Sequence, residues 1–144
     1  MKMNYFTSTK TNPYLVDIAL LLVRIFVGFA MLSHGFPKLQ QLMSGEEIQF
    51  FDFLGLGQKF SLILAVFAEF VCSIFLILGL FTRPAIFFLL ITMAVAGLIV
   101  HCSDEFSKRE NSLLYLSVFL LLFAFGPGKY SVDGMISSRR DSKW

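Results

Sequence analysis

The sequence predicts an all-α integral membrane protein: a bundle of four apolar helices with an interfacial segment in the first loop. Three observations predict it. Hydrophobic residues make up 56% of the 144 residues and charged residues only 15%, against roughly a quarter charged in a soluble domain. The apolar content falls into four runs separated by Gly and Pro punctuation, so lipid rather than a packed interior must solvate most of it. Two charges, Arg24 and Glu69, are kept inside runs long enough to cross a bilayer. There a buried ion costs roughly 2.5–3.5 kcal/mol even on the lenient insertion scale.

The first seventeen residues are polar, with Lys2, Lys10, Asn12-Pro13 and Asp17. They read as a short tail ending at a helix start. The first helix is expected from about Asp17 to Gly35, stopped by Gly35 and Pro37. A cleaved signal peptide would have an apolar stretch of about 7–15 residues ending at a small-residue site. This run continues to His34-Gly35-Phe36-Pro37 without one and is expected to stay in the membrane. The second helix covers about Phe60–Phe81. Thr82-Arg83-Pro84 then forms a tight turn, with Pro84 suited to open the third helix, Pro84–Val100. The fourth, about Asn111–Phe125, ends at Gly126-Pro127-Gly128. Its fifteen residues span only about 22 Å of a hydrocarbon core of about 30 Å, so thinning of the bilayer or a buried start must supply the rest. Residues 1–17 and 129–144 are expected to be cytoplasmic tails around a transmembrane domain, 18–128.

The longest connection, Pro37–Lys59, crowds Ile48, Phe50, Phe51, Phe53 and Leu54 beside Glu46, Glu47 and Asp52. Such a segment suits an amphipathic piece lying in the membrane interface as an anchor; a lid over the bundle mouth is the alternative. Orientation follows from basic residues near the membrane ends. Lys2, Lys10, Arg83, Lys129, Arg139, Arg140 and Lys143 share one side; Lys38, Lys59, Lys108 and Arg109 share the other. The richer side, with both termini, is expected to be cytoplasmic.

The net charge of +2 is too weak to suggest a nucleic-acid partner, and the many Phe residues lie mostly inside the apolar runs. Cys72 is placed about 18 Å deep and Cys102 near the surface, too far apart for a disulfide. Cys72 is expected to pack as a small hydrophobe.

Arg24 lies ten residues before His34, and Glu69 nine residues after Phe60. Counted from the shared loop, both fall about 13–15 Å below one surface. Opposite charges at one depth on adjacent antiparallel helices predict an intramembrane Arg24–Glu69 salt bridge. Above it, topology gathers His34, Lys38, His101, Cys102, Asp104, Glu105 and Glu110 at one face. Histidine relays protons near neutral pH and hydrogen-bonds carbonyl groups. His34, His101 and Glu110 make a two-histidine, one-carboxylate set on paper, but the ligands come from three segments without a metal-binding spacing, and no metal is assigned.

The strings RIFVGFAMLSHGFPKL (Arg24–Leu39), AEFVCSIFLILGLFTRPAIFFLLITM (Ala68–Met93) and ENSLLYLSVFLLLFAFGPGKYSVD (Glu110–Asp133) together resemble the DoxX family. The resemblance implies a small four-helix protein of the bacterial inner (plasma) membrane. Relatives of this kind are subunits of thiosulfate:quinone oxidoreductase or terminal quinol oxidase. Others belong to a membrane oxidoreductase complex that works with superoxide dismutase and a sulfurtransferase in thiol and oxidative stress. Carried over by position, the polar set is Arg24, His34, Gly35, Lys38, Glu69, His101 and Glu110. The chain reads as an uninterrupted four-helix unit without an attached soluble domain.

The first functional expectation is therefore a quinone-linked redox membrane subunit. Arg24, His34, Lys38 and His101 would contact the quinone head, and Glu69 or Glu110 would exchange protons. No haem, flavin or iron–sulfur motif occurs, so electrons would come from a redox partner protein or substrate. The alternatives are a non-enzymatic scaffold or partner-binding subunit, and a small-solute or proton carrier that would need a homo-oligomer.

Overall fold

The computed structural model describes residues 10–141. Among them every regular element is helical: α1 (Pro13–Met43), α2 (Gln58–Leu78), α3 (Thr82–Val100), α4 (Phe106–Phe125) and α5 (Val132–Asp141). The first three are long and apolar enough to cross a membrane. α4 has comparable length, but Lys108, Arg109 and Glu110 occupy its opening turns. Phe26, Leu22, Phe29, Phe87, Leu121 and Phe125 stand exposed around the bundle. A patch of that extent on a water-soluble protein would drive association; here it is the lipid-facing surface of a membrane-embedded protein.

α1 opens with Asn12, whose side chain accepts from the Tyr14 N–H at 3.0 Å, and with Pro13 in the first turn. It does not stop at Gly35. It continues through Pro37 to Met43. A proline inside a helix removes one backbone bond and costs about 3 kcal/mol or more. Two things outweigh that here. In lipid an unwound backbone has no water to bond, and the turns around Pro37 are held by packing of Gly35 and by the ammonium of Lys38, described below.

The other boundaries shift by a few residues for local reasons. α2 ends at Leu78 because Gly79 takes the left-handed conformation (φ 70°), and the Leu80 and Gly79 N–H groups donate to Phe75 O (3.0 Å) and Leu76 O (3.1 Å). This is the glycine-capped helix end that only an unhindered residue adopts without strain. α3 starts at Thr82, two residues before Pro84, because the Asp133 carboxylate accepts from the Phe81 and Thr82 N–H groups and from Thr82 Oγ1 at 2.8–3.0 Å. α4 starts at Phe106 rather than Asn111 and runs 20 residues, about 30 Å, although the added turns carry Lys108, Arg109 and Glu110 and leave its apolar stretch no longer than expected. The segment after Gly128 carries α5, whose start is tied back by the Asp133 N–H to Gly79 O at 2.9 Å. Both described ends of the chain lie at one end of the bundle, where Asp17 accepts from the Lys129 N–H at 3.0 Å. Lys2 and Lys143, part of the charge count for that end, lie outside the described residues.

Val27, Met31, Cys72, Leu76, Ile86, Leu89, Phe119 and Leu122 form the buried core. Cys72 is part of it, Cys102 is exposed, and both are free thiols. α1 and α2 approach most closely at two glycines. A Cβ on Gly35 would lie 2.7–2.8 Å from the backbone of Glu69 and Phe70, and one on Gly28 would meet Ile77 and the Ser73 carbonyl. These contacts fix the antiparallel register.

That register overturns the expected Arg24–Glu69 bridge. Gly35 stands beside Glu69, while Arg24 stands beside Gly79, about 15 Å further along α2. The depth count assumed a first helix ending at Gly35; because α1 runs on to Met43, that reference surface does not exist. Arg24 is 1% exposed. Its Nη1 donates to Pro127 O at 2.8 Å and its Nη2 to Tyr130 O at 2.7 Å. Glu69 is paired instead with Lys38, at 2.5 Å and 2.6 Å.

Two measurements on purified protein in detergent check this register. Residues this far apart without a shared partner should be additive to within about 0.3–0.5 kcal/mol, so Glu69→Leu should not restore stability lost in Arg24→Leu. Gly35→Ala should lower stability by about 1–3 kcal/mol through overpacking, and a melting temperature unchanged from wild type would contradict the close approach.

Candidate functional site

Glu69 owes its position to an irregularity in α2. Between Phe67 and Cys72 the helix widens to a π-helical turn, in which bonds run one residue further than in an α-helix and the side-chain order slips on one face. The Ser73 hydroxyl donates to Glu69 O at 2.7 Å. The Glu69 side chain is 3% exposed and both its oxygens accept from Lys38 Nζ, whose side chain is 30% exposed. Lys38 reaches it because α1 is still helical at that point. Its ammonium also stands 5.8 Å from the Phe50 ring centre, a cation–π contact that ties the first loop to the pair.

This ion pair lines a cavity of about 530 Å³ between α2, α3 and the first loop. The walls are mainly apolar, with Phe50, Phe51 and Phe53 from the loop, Phe67 from α2 and Phe88 from α3. The loop residues fold in irregular conformation against the cavity, an arrangement in keeping with the alternative of a lid over the bundle mouth. Ser61 holds them there, accepting from the Phe53 N–H at 2.9 Å and donating to Gly57 O at 2.9 Å.

A second π-helical turn, Ala96–Val100, closes α3. Arg109 Nε donates to Gly97 O at 3.2 Å, satisfying a carbonyl at the widened turn. Ala96, Val100 and His101 line the same cavity as the α2 turn. π turns concentrate at functional sites because they re-aim side chains at an energetic cost; two of them facing one cavity make it the candidate site. The His101 Nδ1 lies 2.7 Å from Asp104 Oδ2. An ionised carboxylate only accepts, so Nδ1 carries the hydrogen. The bond from His101 holds the Asp104 carboxyl below the ordinary carboxylate range, opposed by desolvation and assisted by the charges of Lys108 and His101. The stabilisation from that bond is therefore present above the ordinary carboxylate range and is lost as pH falls through the lowered value.

Of the residues expected from sequence, Lys38, Glu69 and His101 come together on this cavity. Arg24 does not; it holds the opposite end of the bundle. His34 lies outside the cavity, edge-on to the Tyr115 ring of α4 with centroids 6.0 Å apart. Glu110 is exposed on α4 and does not line the cavity. Sequence reasoning missed the loop phenylalanines as cavity walls and Asp104 as the partner of His101. The clustering of Phe around Asp52 was the available signal for the first, and the three-residue spacing of His101 and Asp104 for the second.

Chemically, the cavity presents an ammonium donor, a buried carboxylate and an imidazole within mainly apolar walls. Removing Lys38 leaves the Glu69 carboxylate buried without its cation, a loss of up to about 3–5 kcal/mol, reduced by water reaching the lysine. Lys38→Met should therefore melt well below wild type, and Lys38→Met with Glu69→Leu should recover most of the loss. A double variant as unstable as the two single losses combined would show that the two groups do not stabilise each other.

The sequence profile of DoxX matches residues 19–102, from α1 to the turn after α3. An uncharacterized protein of Haemophilus influenzae is 32% identical over 134 residues, covering 86% of this chain and 92% of its own. Inner membrane protein YphA of Escherichia coli is 30% identical over 141 residues, 91% of this chain and 96% of its own. Inner membrane protein YqjF of the same organism is 25% identical over 131 residues, 87% and 97% respectively. No solved structure matches. With more than half of the chain matched by the profile and relatives aligned along nearly their whole length, the protein belongs to the DoxX family.

Proposed function

We propose that the cavity receives the head of a quinone, and that the protein serves as a quinone-linked membrane subunit in redox or oxidative and thiol-stress chemistry. The observation that carries this reading is the apolar cavity with one buried ion pair and one histidine on its walls. Its volume of about 530 Å³ falls within the range of small-molecule sites, which are apolar with a few placed polar groups. Lys38 supplies a donor for a carbonyl oxygen of the head, His101 Nε2 accepts from a hydroxyl of its reduced form, and Glu69 holds the Lys38 ammonium in place. The aromatic side chains from the loop and from α2 and α3 offer flat apolar surface to a ring. Bound quinone would supply a carrier of electrons and protons that moves within the lipid. The residues here orient its head, keep water from it and hold protons beside it. Electrons would enter through a redox partner protein, and the basic residues near the termini favour an orientation with the cavity's loop end facing away from the cytoplasm.

Mass spectrometry of quinones extracted from protein purified in a mild detergent tests this reading. Wild type should retain quinone, His101→Ala and Lys38→Ala should retain several-fold less, and His34→Ala, whose ring lies outside the cavity, should retain the wild-type amount. Absence of quinone from wild type, or equal retention by all variants, would favour a scaffold or partner-binding role.

A further inference from the structure

We infer that His101 and Asp104 form a proton port between the cavity and the aqueous face beside the first loop, with Asp104 as the positioning residue; this rests on the ligand reading above. Three ionisable residues line the cavity: Lys38, Glu69 and His101. Both oxygens of Glu69 are committed to Lys38. His101 differs because its partner, Asp104, is not a wall residue. The two side chains are 39% and 36% exposed, so the pair reaches water while the imidazole also borders the cavity.

The hydrogen bond settles which ring nitrogen is available. Nδ1–H donates to the Asp104 carboxylate, so neutral His101 keeps Nε2 as an acceptor. No hydrogen bond to Nε2 occurs among the described residues. A hydroxyl on a ligand head can give its proton to Nε2: the O–H bond breaks, an N–H bond forms, and no electron moves with it. The resulting imidazolium faces the Asp104 carboxylate, which compensates its charge without taking the proton. Loss of the Nδ1 proton to water at the exposed side of the pair leaves the ring neutral with its hydrogen on Nε2, and exchange with water restores the Nδ1–H form. Lys108 acts on Asp104 from α4, Arg109 anchors the preceding turn through Gly97 O, and Lys38 and Glu69 are the charged groups across the cavity. A purely local role is the competing explanation, since the Asp104 N–H also donates to His101 O at 3.2 Å and the turn alone brings the side chains near.

The chain has two histidines, so ¹⁵N-histidine labelling of the protein in lipid discs gives two ring systems, distinguished with His34→Ala. Wild-type His101 should show the Nδ1–H form, and decylubiquinol should shift its Nε2 resonance while leaving His34 unchanged. Asp104→Ala should lose both the Nδ1–H bias and the decylubiquinol shift, Asp104→Glu should restore them, and unchanged His34 signals would report an intact fold. An Nε2–H form in wild type, or an Asp104→Ala variant with wild-type ring form and shift, overturns the port while leaving ligand binding intact. If decylubiquinol moves neither histidine of wild type, the ligand reading falls and the port falls with it.

Discussion

The close approach of α1 and α2 at Gly35 and Gly28 sets every other feature of the polar interior. A side chain at Gly35 would collide with the backbone of Glu69 and Phe70, so the two helices meet in one register only. That register carries Lys38 to the carboxylate of Glu69 and carries Arg24 to the far end of the pair. Small residues let membrane helices approach until backbones touch, which substitutes for the hydrophobic drive that lipid removes.

Two buried charges are then held by different means. Arg24 is bonded to the carbonyls of Pro127 and Tyr130, just past the end of α4, where unpaired carbonyl groups are a natural partner for a cation. Asp133 works at the same end, capping α3 from the start of α5. These bonds fasten the C-terminal segment to α1 and α3, although the buried Arg24 Nε has no hydrogen-bond partner among the described residues. At the opposite end, Glu69 faces a cavity and its partner Lys38 is partly wetted. One polar centre ties backbone segments together, while the other borders an apolar-walled cavity. The division assigns Arg24 to stability and the Lys38–Glu69 pair to the site.

Much of this was legible in the sequence. The apolar runs marked the helices, Gly126 marked the end of the fourth, and charges at Arg24 and Glu69 marked the polar interior, whereas the Gly79 cap went unread and the second helix was expected to reach Phe81. The pairing was not legible, because it depends on register, and register depends on whether α1 stops at Pro37. Local propensity says that it stops; the absence of water in the bilayer and the packing of Gly35 make it continue. Lys38 was recognised as a polar residue of interest, but Pro37 hid its place on a helix facing α2. The first loop was read as amphipathic and rich in Phe, yet nothing local shows that Phe50, Phe51 and Phe53 border a cavity. The π turns around Glu69 and before His101 leave no pattern in an apolar sequence, and α5 is too short and polar to announce itself.

The central claim is that the Glu69 carboxylate is bonded to Lys38 and not to Arg24. Solid-state NMR of protein in lipid, with ¹³C at the glutamate carboxyl carbons and ¹⁵N at lysine Nζ or arginine Nη, measures the dipolar coupling directly. The expected result is a strong coupling between Glu69 and lysine Nζ that disappears in Lys38→Met, with none to arginine. A strong coupling from Glu69 to the Arg24 guanidinium would contradict the account.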